Sequence, residues 1–104
     1  MKNRYQIKAT CYDKRGRVLS RAYNSYTKTH PLQAHFAALV GEPKKQFLHA
    51  EIAAIIRAGE KRIHTIKIEG QTQSGEPKEC KPCKICMAAI KAYDIKRIQY
   101  EICI

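Results

Sequence analysis

Four side chains with the chemistry of a hydrolytic metal site lie in two short segments of this sequence. His49 and Glu51 belong to His-Ala-Glu, and Cys83 and Cys86 belong to Pro-Cys-Lys-Ile-Cys farther along the chain. Imidazole and thiolate groups are typical ligands of Zn²⁺, and a carboxylate next to such an ion can move protons. These four residues therefore predict a metal-activated water with its acid/base partner.

The spacing within each pair limits how these residues can be arranged. Cys83 and Cys86 are three positions apart, so at the start of a helix both thiolates lie on one side, near the positive helix end. Pro82 fits such a helix start. His49 and Glu51 are two positions apart, which is about 200° on a regular helix. They can reach one metal only if His49 lies before the first helical residue.

A structural zinc site is an alternative for the same residues. Cys80, Cys83 and Cys86 form two overlapping Cys-x-x-Cys pairs, and His49 would complete a set of four ligands. A structural site fills all four positions with protein, whereas a catalytic site keeps one open for water. Glu51 favours the catalytic interpretation, because a structural site has no use for a carboxylate beside the metal. We therefore expect Cys80 to stay outside the site.

The pattern His-x-Glu followed by Pro-Cys-x-x-Cys resembles the signature of the cytidine deaminase superfamily, zinc-dependent nucleobase deaminases that include small phage and bacterial types. The resemblance implies Zn²⁺ as the cofactor, with His49, Cys83 and Cys86 as its ligands. It also implies that Glu51 is the catalytic acid/base and that Ala50 contacts the substrate. The implied fold is a three-layer α/β/α arrangement with three helices. Its mixed sheet has about four strands, an N-terminal hairpin plus parallel strands.

Hydrophobic periodicity predicts the elements that must position these residues. Alternating patterns indicate two strands joined by a turn, and two later strands separated by a helix. A strand–helix–strand segment of this length implies parallel pairing through a crossover. The predicted strands are 5–11, 18–22, 63–69 and 96–104, and the predicted helices are 32–40, 49–59 and 83–93.

A polar, basic and aromatic loop at 24–31 follows the predicted hairpin, and such loops often carry binding groups. Deaminases that this chain resembles have an Asn shortly after the second strand that contacts the sugar of the substrate. Asn24 is the matching position. We further expect Tyr26 to stack on a base and Lys28 and His30 to meet phosphate.

Length and charge limit the fold and its partners. The chain has 104 residues, enough for one domain over 1–104. Lys and Arg outnumber Asp and Glu by 20 to 9, giving a net charge of +11, and the excess is concentrated in residues 1–48. An electropositive face there would attract phosphate on a nucleotide, a nucleic acid strand or a membrane surface.

Cysteine usage and hydropathy indicate the compartment. Three of the five cysteines fall at metal-ligand spacing, which favours reduced thiols over disulfides. We expect Cys11 and Cys103 to be core residues, because both fall in apolar strand-like runs. No apolar run resembles a signal peptide or a membrane span, so we expect a cytoplasmic protein without a membrane partner.

The last predicted strand bears on assembly. The chain ends there, whereas similar deaminases continue into a fifth strand and a further helix. An unpaired strand edge is normally protected, and self-association is a simple way to protect it. We therefore expect a homo-oligomer, at least a dimer, with the active site near a subunit boundary.

Three functions are compatible with these observations. The first is a zinc-dependent hydrolase of the cytidine or dCMP type, which converts a cytosine nucleoside or deoxynucleotide to its uracil form and releases ammonia. The second is a deaminase acting on a cytosine or adenine base in single-stranded DNA or RNA, which the charge of +11 favours. The third is a non-enzymatic, zinc-stabilised nucleic-acid-binding module, which predicts a filled metal site.

Overall fold

The computed structural model describes residues 5–25, 27–42, 44, 47–59, 61–72 and 83–102, which form a four-stranded sheet and three helices. The strands are β1 (Tyr5–Tyr12), β2 (Val18–Tyr23), β3 (Thr65–Thr72) and β4 (Arg97–Ile102). The helices are α1 (Pro31–Leu39), α2 (Ala50–Ala58) and α3 (Lys84–Ala92). The order along the chain is β1, β2, α1, α2, β3, α3, β4, as the periodicity predicts.

The sheet is mixed, with strand order β2-β1-β3-β4. β1 pairs antiparallel with β2, as expected for a hairpin, and β3 pairs parallel with β4 after the connection through α3. Both pairings confirm the predicted strand directions. The mixed sheet and the three described helices confirm the predicted α/β class. The antiparallel pairing of β1 with β3 joins the two halves of the chain.

The hairpin turn is held by the side chain of Asp13. Its Oδ1 accepts hydrogen bonds from the backbone N–H groups of Arg15 at 2.8 Å and Arg17 at 2.9 Å. Gly16 has a φ of 80°, a left-handed conformation that suits glycine. The turn therefore lies where the sequence places it, and it exposes the basic side chains on either side of Gly16.

One face of the sheet carries the core. The strand register places Ala9 opposite Ile68 and Cys11 opposite Ile66, and all four residues are buried. All three helices contribute to the buried cluster on this face. Its members include Ala9, Cys11, Ala22 and Ile66 from the sheet, Phe36 and Ala37 from α1, Ile52 and Ile55 from α2, and Ile85 and Ala89 from α3. The burial of Cys11 confirms its predicted core role, and Cys103 lies outside the described residues.

The opposite face of the sheet is largely polar. Lys8, Lys67 and Glu69 lie on it, and the Lys8 Nζ and Glu69 Oε1 atoms are 3.6 Å apart. A polar face can meet water without a helical cover. Residues of all three described helices belong to the buried cluster.

Helix α2 is almost entirely buried. It begins directly after His49 and carries Glu51 in its first turn. Residues 50–55 are all buried, and the alanines among them allow close packing on β1 and β2. Ser20 of β2 donates a 2.7 Å hydrogen bond from Oγ to the Ala54 carbonyl. The helix ends at Gly59, whose φ of 64° favours glycine, as predicted. No helix in the described part of the chain has the length and apolar character to cross a membrane.

We predict that Ile55→Ala lowers the free energy of unfolding by about 2 to 5 kcal/mol, because it leaves a cavity in a closely packed core. Ile56→Ala is the matched control on the same helix, since the Ile56 side chain is only partly buried. Urea denaturation of both variants measures the difference. Equal losses for the two substitutions would contradict the packing described for α2.

Candidate metal centre

The N-termini of α2 and α3 meet and bring His49 and Cys83 together. Both are N-cap residues with extended backbone: His49 has φ −78° and ψ 152°, and Cys83 has φ −76° and ψ 175°. Their carbonyl groups accept the first helical hydrogen bonds, from the N–H groups of Ala53 and Met87. This confirms that His49 lies before the first helical residue, as its spacing to Glu51 requires.

Three potential ligand atoms face one another at this junction. Nδ1 of His49 is 3.3 Å from Cys86 Sγ and 3.4 Å from Cys83 Sγ, and the three ligand atoms lie within 4.8 Å of one another. Tetrahedral zinc with Zn–S of about 2.3 Å and Zn–N of about 2.0 Å places its nitrogen and sulfur ligands roughly 3.5 Å apart. The donor types and their spacing therefore fit Zn²⁺, and all three members were predicted from the sequence.

The two thiols have opposite protonation tendencies. The hydrogen bond with Cys86 and the nearby imidazole of His49 lower the pKa of the Cys83 thiol to about 3. The same hydrogen bond, together with burial, holds the pKa of the Cys86 thiol well above its usual value. The hydrogen bond between the two thiols thus favours the deprotonated form of Cys83. Cys83 is then a thiolate at neutral pH, the form that binds metal.

The Glu51 carboxyl lies beside the three ligands but does not belong to the set. Its side chain is within hydrogen-bonding reach of Cys86, and only 5% of the residue is exposed. Burial raises the pKa of this carboxyl above its usual range, and its hydrogen bonds only partly offset the effect. A carboxyl with a raised pKa holds a proton more readily, which suits a group that both accepts and donates one.

Gln33 is a buried polar residue that sequence reasoning did not single out. It lies on α1 with no exposed surface, and its Oε1 accepts a 3.1 Å hydrogen bond from the backbone N–H of His49. α1 therefore helps to hold the N-cap residue of α2. The sequence does contain a signal, because Gln33 interrupts an apolar helical stripe that continues at Phe36 and Ala37.

The loop predicted to bind substrate runs beside the segment that leads into His49. Leu48 donates a backbone hydrogen bond to the Lys28 carbonyl at 2.9 Å and accepts one from the Ser25 N–H at 2.8 Å. Thr29 forms an isolated β-bridge with Phe47, an exposed apolar residue two positions before His49. The structure thus brings the loop to the metal centre, and Phe47 is a second residue that the sequence reasoning missed.

Individual residues predicted to bind substrate have different surroundings. Asn24 Oδ1 accepts a 2.8 Å hydrogen bond from the Ile7 N–H, so this side chain also closes the end of the hairpin. His30 is the N-cap of α1, where its Nδ1 accepts a hydrogen bond from the Leu32 N–H. Lys28 is exposed and Ala50 is fully buried. Their contacts with substrate stay predictions. Two further residues, Tyr26 and Cys80, lie outside the described residues, as does Pro82.

We predict that Gln33→Met weakens zinc binding about 10-fold or more, because residues that hold a ligand in place typically contribute 10- to 100-fold to metal affinity. Phe36→Leu is the control, since it alters the same buried stripe without touching the His49 N–H. Competition with a chromophoric chelator measures the affinity. A Phe36 variant that loses as much zinc affinity would show that only the packing of α1 matters.

Comparison with known proteins agrees with this geometry. The family profile described as the cytidine and deoxycytidylate deaminase zinc-binding region matches residues 2–102. No curated protein matches the sequence. The matched segment contains both helix N-termini and all three ligands, so the chain belongs to the family defined by the zinc-binding region of cytidine and deoxycytidylate deaminases.

Proposed function

We propose that this protein is a zinc-dependent hydrolase that converts a cytosine nucleoside or deoxynucleotide to its uracil form and releases ammonia. The observation that carries the proposal is the buried Glu51 carboxyl beside His49, Cys83 and Cys86, in a chain of the deaminase family. A purely structural zinc site would not need to bury a carboxyl there, because burying an ionisable group costs free energy.

The ligands and Glu51 have separate roles in this reaction. His49, Cys83 and Cys86 would hold Zn²⁺, which when bound would lower the pKa of a water toward neutrality. Glu51 accepts a proton from the attacking water, whose oxygen bonds to the amino-bearing ring carbon. Glu51 passes this proton to the ring nitrogen, then takes the second proton from the same oxygen and gives it to the leaving amino group as the C–N bond breaks. Water and cytosine thus give uracil and ammonia, and Glu51 ends in its starting state.

The residues of the loop beside the metal centre favour the proposal of a small substrate with a phosphate group. Asn24 and Lys28 lie on the segment that pairs with residues 47–48, directly before His49. We propose that Asn24 contacts the sugar, that Lys28 and His30 contact phosphate, and that the exposed Phe47 ring packs on the base. Ala50 and Tyr26 complete the proposed substrate site.

A deaminase acting on single-stranded nucleic acid is the second candidate, and the net charge of +11 favours it. One assay separates the two. Purified protein is incubated with cytidine, dCMP, adenosine and single-stranded oligonucleotides, with uracil or inosine as the readout. Turnover of dCMP or cytidine without turnover of oligonucleotides supports the first candidate, and the reverse result supports the second.

We predict that Glu51→Gln lowers turnover by at least about 10²- to 10⁴-fold, because the amide cannot transfer the proton. The variant should keep one zinc per chain, since the carboxyl is not among the ligand atoms. Steady-state kinetics and metal analysis of the same preparation test both statements. Loss of zinc in this variant would overturn the role assigned to Glu51.

We predict that Cys83→Ala and Cys86→Ala each lose zinc and stability together, because metal-binding energy contributes to folding energy at such a site. Chelation of the wild-type protein should lower its melting temperature in the same way. Cys80→Ser is the matched control and should keep one zinc per chain with near-normal activity. A Cys80 variant that purifies without metal would assign the ligands to a different pair of cysteines.

We also propose that the protein is a cytoplasmic homo-oligomer. Ligand thiols must stay reduced, which fits a reducing compartment. β4 forms one edge of the described sheet, and the sequence from Ile98 to Ile102 has neither the proline nor the lysine that often protects an edge. We expect sedimentation equilibrium at micromolar concentration to give at least a dimer. A fully active species at 11.9 kDa would refute the oligomer.

A further inference from the structure

One end of the sheet carries a cluster of cations around two neighbouring hollows. The hollows have volumes of about 370 and 310 Å³, and both are lined by Asp13, Lys14 and His64. They lie where β1 ends and where β3 and β4 begin. We call this region the basic end and define it by five residues: Lys14, Arg15, Arg62, Lys96 and Arg97.

The basic end is separate from the metal centre. α3 has its N-terminus at Cys83 and runs for nine residues, or about 14 Å, before the chain reaches Asp94. Asp94 in turn contacts Arg62 and Lys96 of the basic end. α2 has the same polarity, from His49 to the residues just before Arg62. The two sites thus lie at opposite ends of the same helices.

Two of the five cations form ion pairs with Asp94, and the Arg15 side chain interacts with Asp13 through its charge alone. The described ion pairs include neither Lys14 nor Arg97. The Asp94 carboxylate pairs with Lys96 at 2.9 Å and with Arg62 at 3.4 Å. The carboxylate of Asp13 instead accepts backbone hydrogen bonds within the hairpin turn.

The described ion pairs therefore leave out Lys14, Arg15 and Arg97, all of which are exposed. Lys14 and Arg15 belong to the turn and Arg97 to a strand, so none of the three lies within a helix.

Ring groups lie among these cations. Tyr12 and His64 are both partly buried and line the second hollow, while the aliphatic Ile63 lines the first. Surfaces that bind single-stranded nucleic acid without sequence preference combine cations, which follow the phosphates, with rings on which bases stack. Two adjoining hollows of this size suit successive nucleotides better than one compact anion.

We propose that the basic end binds single-stranded nucleic acid. Lys14, Arg15 and Arg97 contact the phosphates, and Tyr12 and His64 contact the bases. This binding does not depend on the proposed deaminase reaction, and it places a nucleic-acid contact about one helix length from the metal centre. Both hollows open at one end of the sheet, so a strand can cross them in sequence.

The test is fluorescence anisotropy with a labelled 20-nucleotide single strand of DNA or RNA. The test variant carries Lys14→Ala, Arg15→Ala and Arg97→Ala. The control variant carries Arg21→Ala, Lys44→Ala and Lys91→Ala, which removes the same charge from exposed positions outside the hollows. We expect the test variant to bind at least about 10-fold more weakly and the control to change less than about 2-fold. Loss of three phosphate contacts should also reduce the slope of log K against log salt by about 2.

Several outcomes would overturn the proposal. Equal losses in both variants would show that net charge alone drives binding. Equal or tighter binding of a duplex, or of phosphatidylserine vesicles, would assign the basic end to another partner. Absence of oligonucleotide binding at 50 mM salt would refute the proposal. Melting temperature and dCMP turnover are measured on every variant, so a misfolded variant is recognised. In that case Lys14→Gln with Arg15→Gln, both in the exposed turn, repeats the comparison. Oligonucleotide binding without any deaminase activity would count only against the proposed function.

Discussion

The meeting of two helix N-termini over one face of the sheet is the constraint on which the metal centre depends. His49 and Cys83 are both N-cap residues, and their extended backbone directs their side chains toward the point where the helices converge. Cys86 joins them from the first turn of α3. The positive ends of both helix dipoles favour thiolate at this point. A shift of either helix by one residue would separate the three ligand atoms, which now lie within 4.8 Å of one another.

Packing of α2 determines the environment of the Glu51 carboxyl. The helix carries small and β-branched apolar residues on nearly all of its surface, so it can lie directly on β1 and β2. Its first turn is buried as a consequence, and the carboxyl there is desolvated. Burial that stabilises the fold therefore also raises the pKa of the Glu51 carboxyl, the proposed acid/base group. The same elements serve stability and the proposed proton transfer.

The charge of the chain is distributed over separate structural regions. The described metal centre combines two cysteines and a buried carboxyl with one histidine, whereas exposed cations surround the hollows at the far ends of α2 and α3. Those cations come from the hairpin turn, the start of β3 and the start of β4. The electropositive surface thus draws on both halves of the chain, although the excess of basic residues in 1–48 suggested that the N-terminal half would form it alone.

The sequence by itself determined the ligands, the element order and the position of His49 before its helix. The element order and the position of His49 follow from spacing within single segments, because the helical and strand periods relate neighbouring residues directly. The resemblance to the deaminase signature brought His49 together with Cys83 and Cys86 as candidate ligands. Only the tertiary structure decided that Gln33 contacts the His49 N–H, that residues of all three described helices join one buried cluster, and that Lys14 and Arg97 share one end of the sheet. Such contacts join segments far apart in the chain, and they depend on strand register and on the angle at which helices pack, which local periodicity does not specify.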